Sequence, residues 1–164
     1  MLTIRCTRKL LKHLGAEVAS ERMLPTNRLG DWYANLLFTR SARLIICVSE
    51  RSLLSVFVEA RDPTSFIPRF QERVLSGLRR MGAASDVVDC EARAMAQIRI
   101  GATASRRVLG SLNDLASLAR FTIEGHPDID LGKVAIELAE TPCAPLNYES
   151  PRSVSLALLR RVNS

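Results

Sequence analysis

Strands are predicted wherever apolar residues alternate with polar ones or form short uninterrupted runs. Leu2, Ile4 and Cys6 alternate with polar residues, a period of two that is typical of a half-buried strand. Further strands are predicted over residues 32–39, 44–49, 53–59 and 98–102. Short polar segments of hairpin length separate the first three of these runs. We therefore predict a three-stranded antiparallel meander, with a helix opened by Asp31 as the alternative for its first run.

Helices are predicted where apolar residues recur every three or four positions behind a capping residue. The clearest example runs from Ile67 to Met81 and ends at Gly82. Other helices are predicted after Thr7 as far as Gly15, after Ser85 as far as Met95, after Ser105, over 131–140, and after Ser150 with Val154, Leu158 and Val162 on its apolar side. Residues 16–28 have no clear period and are predicted to form a mobile loop. An acidic loop is predicted to hold Glu124, Asp128 and Asp130.

These elements predict a single α+β domain over residues 1–164. Its mixed sheet is built around the antiparallel three-stranded meander, and the helices are packed on it over one face. On the strand that begins at Trp32, such an arrangement leaves Tyr33 and Asn35 on an open face. There an aromatic ring and an amide could stack on and hydrogen-bond a nucleobase or a peptide.

Composition adds a basic bias to this picture. The chain of 164 residues has a formal net charge of +6, with a charge of +8 over its first 120 residues and −2 over the last 44. Of its 23 basic residues, 20 are Arg, the side chain that binds phosphate and carboxylate bidentately. The balance suits nucleic acid or another polyanion as a partner. The longest uninterrupted apolar run, 44–48, is too short to cross a membrane, so we expect a cytoplasmic protein with no membrane partner.

Cysteine spacing and missing motifs argue against several kinds of site. No pair among Cys6, Cys47, Cys90 and Cys143 has the close spacing of a zinc knuckle or a redox motif. Cys6 and Cys47 lie in apolar patterns and are predicted to be small core residues. The sequence also lacks a Walker A loop and the glycine fingerprint of dinucleotide-binding folds. We therefore expect no metal and no cofactor.

The strongest candidate site lies in residues 101–114, where a strand leads through small residues into a helix. Free N–H groups and the positive end of the dipole at a helix N-terminus favour an anion. Thr103 and Ser105 add hydroxyls there, and Arg106 and Arg107 add guanidinium groups. Two cations in a first turn oppose the dipole, at a cost of about 0.3–1 kcal/mol each, unless an anion lies beside them. Ion pairing with Asp or Glu is the alternative role of the two arginines.

Two more groups of polar residues complete the candidate site. Further along the same helix lie Asn113 and Asp114, the second a potential metal ligand, general base or plain surface carboxylate. A second polar stretch, residues 26–35, supplies five candidates: Asn27, Arg28, Asp31, Tyr33 and Asn35. Each stretch is too small to form a pocket alone, so we predict that the two converge in space.

Three segments of the chain resemble a family of uncharacterised bacterial proteins. They are residues 4–10, residues 29–38 (LGDWYANLLF) and residues 105–114 (SRRVLGSLND). The resemblance implies a shared fold and a shared polar site, and it implies no reaction.

Three functional hypotheses follow. The first is a binding module for an anionic partner, nucleic acid or another phosphate-bearing ligand, that uses the helix N-terminus at Ser105. The second is an enzyme acting on a phosphate-containing substrate, in which Arg106 and Arg107 stabilise charge and Asp31 or Asp114 acts as base or metal ligand. The third is a protein-interaction module of a two-component system that binds a protein partner through the open sheet and the acidic segment 124–140.

Overall fold

A computed structural model describes residues 1–161 of the chain, and these contain five strands and six α-helices. The strands are β1 (Leu2–Cys6), β2 (Trp32–Phe38), β3 (Arg43–Ser49), β4 (Ser55–Glu59) and β5 (Ile98–Ala102). The helices are α1 (Arg8–Leu14), α2 (Phe66–Arg80), α3 (Ser85–Ala94), α4 (Arg106–Gly125), α5 (Leu131–Ala139) and α6 (Pro151–Arg160). Short 3-10 turns occupy Pro63–Ser65 and Ala144–Leu146.

The five strands form one mixed sheet in the order β4-β3-β2-β1-β5. Strand β1 is parallel to both of its neighbours, with Ile4 opposite Trp32 on one side and Ile100 on the other. Strands β2, β3 and β4 form the predicted antiparallel meander. The alternative of a helix opened by Asp31 is wrong, because every residue of β2 from Trp32 to Phe38 pairs with a residue of β3.

Helices cover both faces of the sheet, so the prediction that they pack over one face is wrong. Helices α1, α2, α3 and α6 contribute to the core on the face that carries Trp32 and Ala34. Helices α4 and α5 contribute to the core on the face that carries Tyr33 and Leu37. Since Tyr33 is only 2% exposed beneath this second layer, it does not lie on an open face available for stacking.

The first core is centred on large aromatic side chains. Trp32 packs edge-on against Phe70 of α2, with ring centroids 5.2 Å apart and planes inclined by 81°. That geometry is one of the two favoured arrangements for aromatic pairs. Phe66 and Phe70 occupy the apolar stripe that the spacing from Ile67 to Met81 predicts for α2. The stripe therefore fixes this helix against the strands.

Capping side chains precede three of the six α-helices, namely α1, α4 and α6. The Thr7 hydroxyl accepts the Leu10 N–H and caps α1, and Gly15 ends that helix in the left-handed conformation with φ 61°. Residues 16–28 form a loop without helix or strand, as predicted. Its last two residues, Asn27 and Arg28, are hydrogen-bonded to the Glu91 carboxylate, so the expected mobility does not extend to them.

Four details differ from the predictions or fall outside the structure. Ser85 is the first residue of α3, and Ala84 precedes it without a side-chain cap. Glu124 belongs to α4 rather than to an acidic loop, since that helix continues to Gly125. Leu53 precedes β4 in a turn, with a φ of 57°. Val162, expected on α6, lies outside the described residues.

Within residues 1–161, no helix combines the length and the apolar character that a bilayer-crossing segment requires.

The four cysteines differ sharply in their environment. Cys6 and Cys47 are buried, as predicted, whereas Cys90 is exposed and Cys143 is half-buried. Burial raises the pKa of the Cys6 thiol to about 12. Burial, and to a lesser extent the proximity of Cys6, also raises the pKa of Cys47. Because the thiolate is the reactive form, both buried thiols are expected to be inert at neutral pH.

Alkylation of the native protein near pH 8 should therefore modify Cys90 first and Cys143 more slowly, since burial also raises the pKa of Cys143. Cys6 and Cys47 should react only after unfolding in denaturant. Mass spectrometry of tryptic peptides, taken over a time course, measures the order. Modification of Cys6 at the rate of Cys90 in native buffer would contradict the packing described above.

Candidate functional site

At the turn between β5 and α4, one residue of the first polar stretch, Tyr33, contacts the second stretch. Ser105 is the N-cap of α4, and its hydroxyl accepts the N–H of Val108 at 3.2 Å. The backbone N–H of Ser105 in turn donates to the hydroxyl of Tyr33 at 3.1 Å. Tyr33 reaches this point because it lies on the face of the sheet that α4 covers. The turn is therefore anchored to the centre of the sheet.

Two exposed arginines occupy the first turn of α4. The guanidinium of Arg107 donates to the carbonyl of Pro145 at 3.2 Å. Within residues 1–161, neither Arg106 nor Arg107 forms an ion pair. Their charges are therefore not neutralised by a carboxylate of the part of the fold described here, and the alternative of ion pairing is not observed in it.

Two cavities open beside this turn. One, of about 250 Å³, lies at the amino end of α4, and its polar wall consists of Glu50, Arg51, Ser105, Arg107 and Ser111. The other, of about 260 Å³, is lined by the β5 end of the turn, from Gly101 to Ala104, and by Arg5, Glu21 and Arg22 among others. Thr103 belongs to this second wall. Arginine side chains therefore line both cavities that flank the turn.

Arg5, Arg22 and Arg51 were not among the residues singled out in the sequence. They come from three separate segments, and nothing in their local pattern shows that they approach the β5–α4 turn. Their positive charges differ in whether a carboxylate of the protein already neutralises them. Arg5 is paired with Asp31 at 3.0 Å, whereas Arg51 donates to the backbone carbonyls of Asn27 and Arg28 and keeps its charge.

Asp31 has an internal role. Its carboxylate is 3% exposed; one oxygen accepts the N–H of Thr3 at 2.9 Å, and the other accepts the Arg5 guanidinium. Its own backbone N–H donates to the Glu50 carboxylate at 3.0 Å. These contacts engage both carboxylate oxygens and tie Asp31 to β1.

Asn27 and Arg28 are held inside a loop that leads into β2. The buried carboxylate of Glu91 on α3 accepts three N–H donors: the Asn27 side chain and the backbone of Arg28 and Leu29. The Arg28 side chain donates to the carbonyl of Leu159. Gly30 follows with a φ of 78°, and a Cβ there would lie 2.7 Å from the Glu50 carboxylate. The loop is thus fixed by the surrounding fold.

Asn35, Asn113 and Asp114 form no hydrogen bond with Ser105 in the described part of the chain. The Asn35 side-chain oxygen accepts the Thr7 hydroxyl at 2.6 Å and the Leu36 N–H. Asn113 and Asp114 are exposed on α4, and Asn113 is about 10 Å further along the helix than Arg106 at 1.5 Å per residue. The turn thus gathers Tyr33, Thr103, Ser105 and the two arginines, while the other candidates serve the fold or lie elsewhere on the surface.

No cluster of three or more His, Cys, Asp or Glu side chains in the described part of the chain is arranged to hold a metal ion.

The molecule belongs to the α+β class, with one mixed sheet between two helical layers and an arginine-bordered turn at the start of its longest helix. Its residues 3–154 match the family described as Domain of unknown function (DUF6933), and the chain belongs to that family. No curated protein and no solved structure matches the chain.

A comparison of two carboxylates tests the structural assignment of Asp31. Asp31→Ala should lower the free energy of unfolding by about 3–5 kcal/mol, because it leaves the nearly buried Arg5 guanidinium without its partner. Asp114→Ala removes an exposed carboxylate and should change stability by about 0.5 kcal/mol or less. Urea denaturation of the two variants measures both values. Equal stability of the two variants would show that the buried pair does not hold β1 to β2.

Proposed function

We propose that this domain is a binding module for an anionic partner, and that the partner is the phosphate backbone of nucleic acid. The observation that carries the proposal is the β5–α4 turn, which lies between two arginine-lined cavities. Two arginines of α4 beside it form no ion pair within residues 1–161. A phosphate at the start of α4 would accept from the free N–H groups of the first helical turn.

The positions of Arg106 and Arg107 support an anionic ligand. Positive side chains at a helix N-terminus oppose the dipole and weaken the helix by about 0.3–1 kcal/mol each. A bound phosphate reverses that balance, because it interacts favourably with the guanidinium groups and with the dipole. The two arginines then contribute to binding at a small expense in stability.

The spread of the arginines favours a polymer over a single phosphate. Arg22 lines the cavity on the β5 side of the turn, and Arg51 and Arg107 line the cavity at the amino end of α4. The two cavities share no lining residue, so a strand with successive phosphates can occupy both at once. Glu21 and Glu50 also line these walls, so the expected affinity is moderate and strongly dependent on salt.

The double variant Arg106→Ala/Arg107→Ala tests this proposal. It should bind a short DNA duplex or single-stranded RNA about tenfold more weakly at low salt, because two phosphate contacts are lost. Between about 50 and 200 mM salt, its plot of log K against log salt should be shallower by about 1–2. The melting temperature should stay constant or rise slightly, since two charges that oppose the dipole are gone. Fluorescence anisotropy and thermal melts provide the two measurements.

A matched control removes the same charge elsewhere. Arg79→Ala/Arg93→Ala deletes two exposed arginines from the last turns of α2 and α3, in the opposite helical layer. This variant should keep most of the affinity and lose a little stability, because cations near a helix C-terminus are favourable. If both double variants weakened nucleic-acid binding equally, the loss would be an effect of net charge, and the proposed site at the β5–α4 turn would be wrong. Binding that does not change with salt in the unmodified protein would contradict it outright.

A further inference from the structure

A separate cavity of about 240 Å³ lies at the free edge of strand β4, between helices α2 and α5. It shares no lining residue with the two cavities beside the β5–α4 turn. Its walls are part of β4, one side of α2, and the start of α5. Because β4 is the last strand of the sheet, its outer side has no neighbouring strand.

The register of β3 and β4 shows which backbone groups face this cavity. Ala60 donates to Arg43, and Ser49 donates to Leu54, so the residues of β4 bonded to β3 are alternate ones that include Val56. The N–H and C=O groups of Ser55 and Phe57 therefore point outward, where both residues line the cavity. No group among residues 1–161 hydrogen-bonds to them. Ser55 and Phe57 are each only 1% exposed, so these donors and acceptors form a row at the bottom of the cavity.

Helix α2 contributes a polar wall opposite this edge. Arg73, Ser76, Gly77 and Arg80 are spaced so that they share one side of the helix, and all four line the cavity. Arg80 pairs with Asp130 at 3.3 Å across the two helices. Arg73 is half-buried and forms neither an ion pair nor a side-chain hydrogen bond within the described residues. Arg73 is therefore the cation left available to a ligand.

The charge of Arg80 is already satisfied at neutral pH. Partial burial raises the pKa of Asp130, but interaction with the Arg80 guanidinium and with the N–H groups of Gly132 and Lys133 outweighs this and lowers it. Asp130 consequently stays ionised and holds Arg80 at the rim. The Arg80 guanidinium lies close against Gly132, where a Cβ would displace it.

Gly77 is the feature of the cavity that the fold does not require. It lies in the interior of α2, where glycine is less favourable than alanine. A Cβ built at Gly77 meets nothing within 4 Å, so no neighbouring protein atom demands the missing side chain. The unused space in front of Gly77 belongs to the cavity. A ligand that occupies this space would meet a side chain at position 77, which glycine avoids.

We propose that the β4 cavity binds a small carboxylate that carries a secondary amide, the chemistry of an N-acylated amino acid. The amide would pair with the outward N–H and C=O groups of Phe57, as a neighbouring strand would. The carboxylate would pair bidentately with Arg73. Apolar atoms of Met81, Leu131, Ala135 and Ile136 provide the surface for an aliphatic side chain. A cavity of this size holds one residue and its acyl group.

Titration of the ¹⁵N-labelled protein with N-acetyl-L-leucine tests the site by NMR. The probe should produce saturable shifts of the Ser55, Phe57, Gly77 and Gly132 amide signals, with a dissociation constant of about 1 mM for a ligand of this size. Its methyl ester, which lacks the negative charge, should bind about tenfold more weakly. Shifts that fail to saturate by about 10 mM, or that map to other residues, would overturn the proposal.

Two glycine variants separate binding from folding. Gly77→Ala should raise the melting temperature by about 2–4 °C, because alanine favours the helix. It should nevertheless weaken the binding of N-acetyl-L-leucine by about tenfold or more. Gly110→Ala is the matched control, since Gly110 is also a helical glycine with nothing within 4 Å of a Cβ and lies outside the cavity. It should raise the melting temperature similarly and leave binding unchanged. Unaltered affinity in Gly77→Ala would overturn the proposal.

A charge variant keeps the test decisive if Gly77→Ala fails to fold. Arg73→Gln retains a polar side chain of similar reach. It should weaken the binding of N-acetyl-L-leucine about tenfold and leave the already weak binding of the methyl ester almost unchanged. Equal loss of affinity for both probes would place the carboxylate away from Arg73 and overturn the assignment.

An acetylated tripeptide ending in leucine distinguishes the source of the ligand. It binds more tightly than the single residue if a protein C-terminus is the natural occupant, and no better if a free small molecule is.

Discussion

The buried carboxylate of Asp31 is the contact on which the rest of the molecule depends. By accepting the N–H of Thr3 and the guanidinium of Arg5, it fixes the start of β2 against the middle of β1. The parallel register that follows places Tyr33 beneath α4, where its hydroxyl meets the N–H of Ser105. The position of the basic turn is therefore set by a charge that does not itself face solvent. Removal of such a charge leaves its partner unsatisfied, which is why the pair contributes to specificity of structure as well as to stability.

The elements could be predicted from the sequence, whereas the layers could not. Caps such as Thr7 and Ser105 act within one helical turn, so the local sequence contains the whole signal. The choice of sheet face is different, because the apolar stripe of a helix is the same whichever face it covers. One clue was present: 44–48 is continuously apolar, a pattern typical of a strand buried on both sides. A continuous apolar run predicts helices on both faces of the sheet, and it is stronger evidence than the alternation of apolar and polar residues in β2, which suggests one open face.

The candidate site was predictable only where it is local. The Ser105 cap and its two arginines follow from a strand, a short turn and a helix in sequence. The contacts of Asn27 and Arg28 with Glu91 could not be predicted, because Glu91 lies more than sixty residues away and leaves no local signal. The β4 cavity had no local signal at all. It exists because β1 pairs with both β2 and β5, an order that leaves β4 at the edge between α2 and α5.

One hairpin turn forms part of both proposed sites. Leu53 lines the cavity at the amino end of α4, and Leu54, the next residue, lines the cavity at the β4 edge. Leu53 has a φ of 57°, a conformation that costs a non-glycine residue about 1–2 kcal/mol and persists only where the surroundings enforce it. Here the enforcement comes from Ser49, whose carbonyl accepts the Leu53 N–H and whose hydroxyl accepts the N–H of Ser52. A turn held in this way does not have to be ordered when a ligand arrives. Adjacent residues of one preformed turn therefore line the two cavities, which lowers the entropic cost of binding at either one.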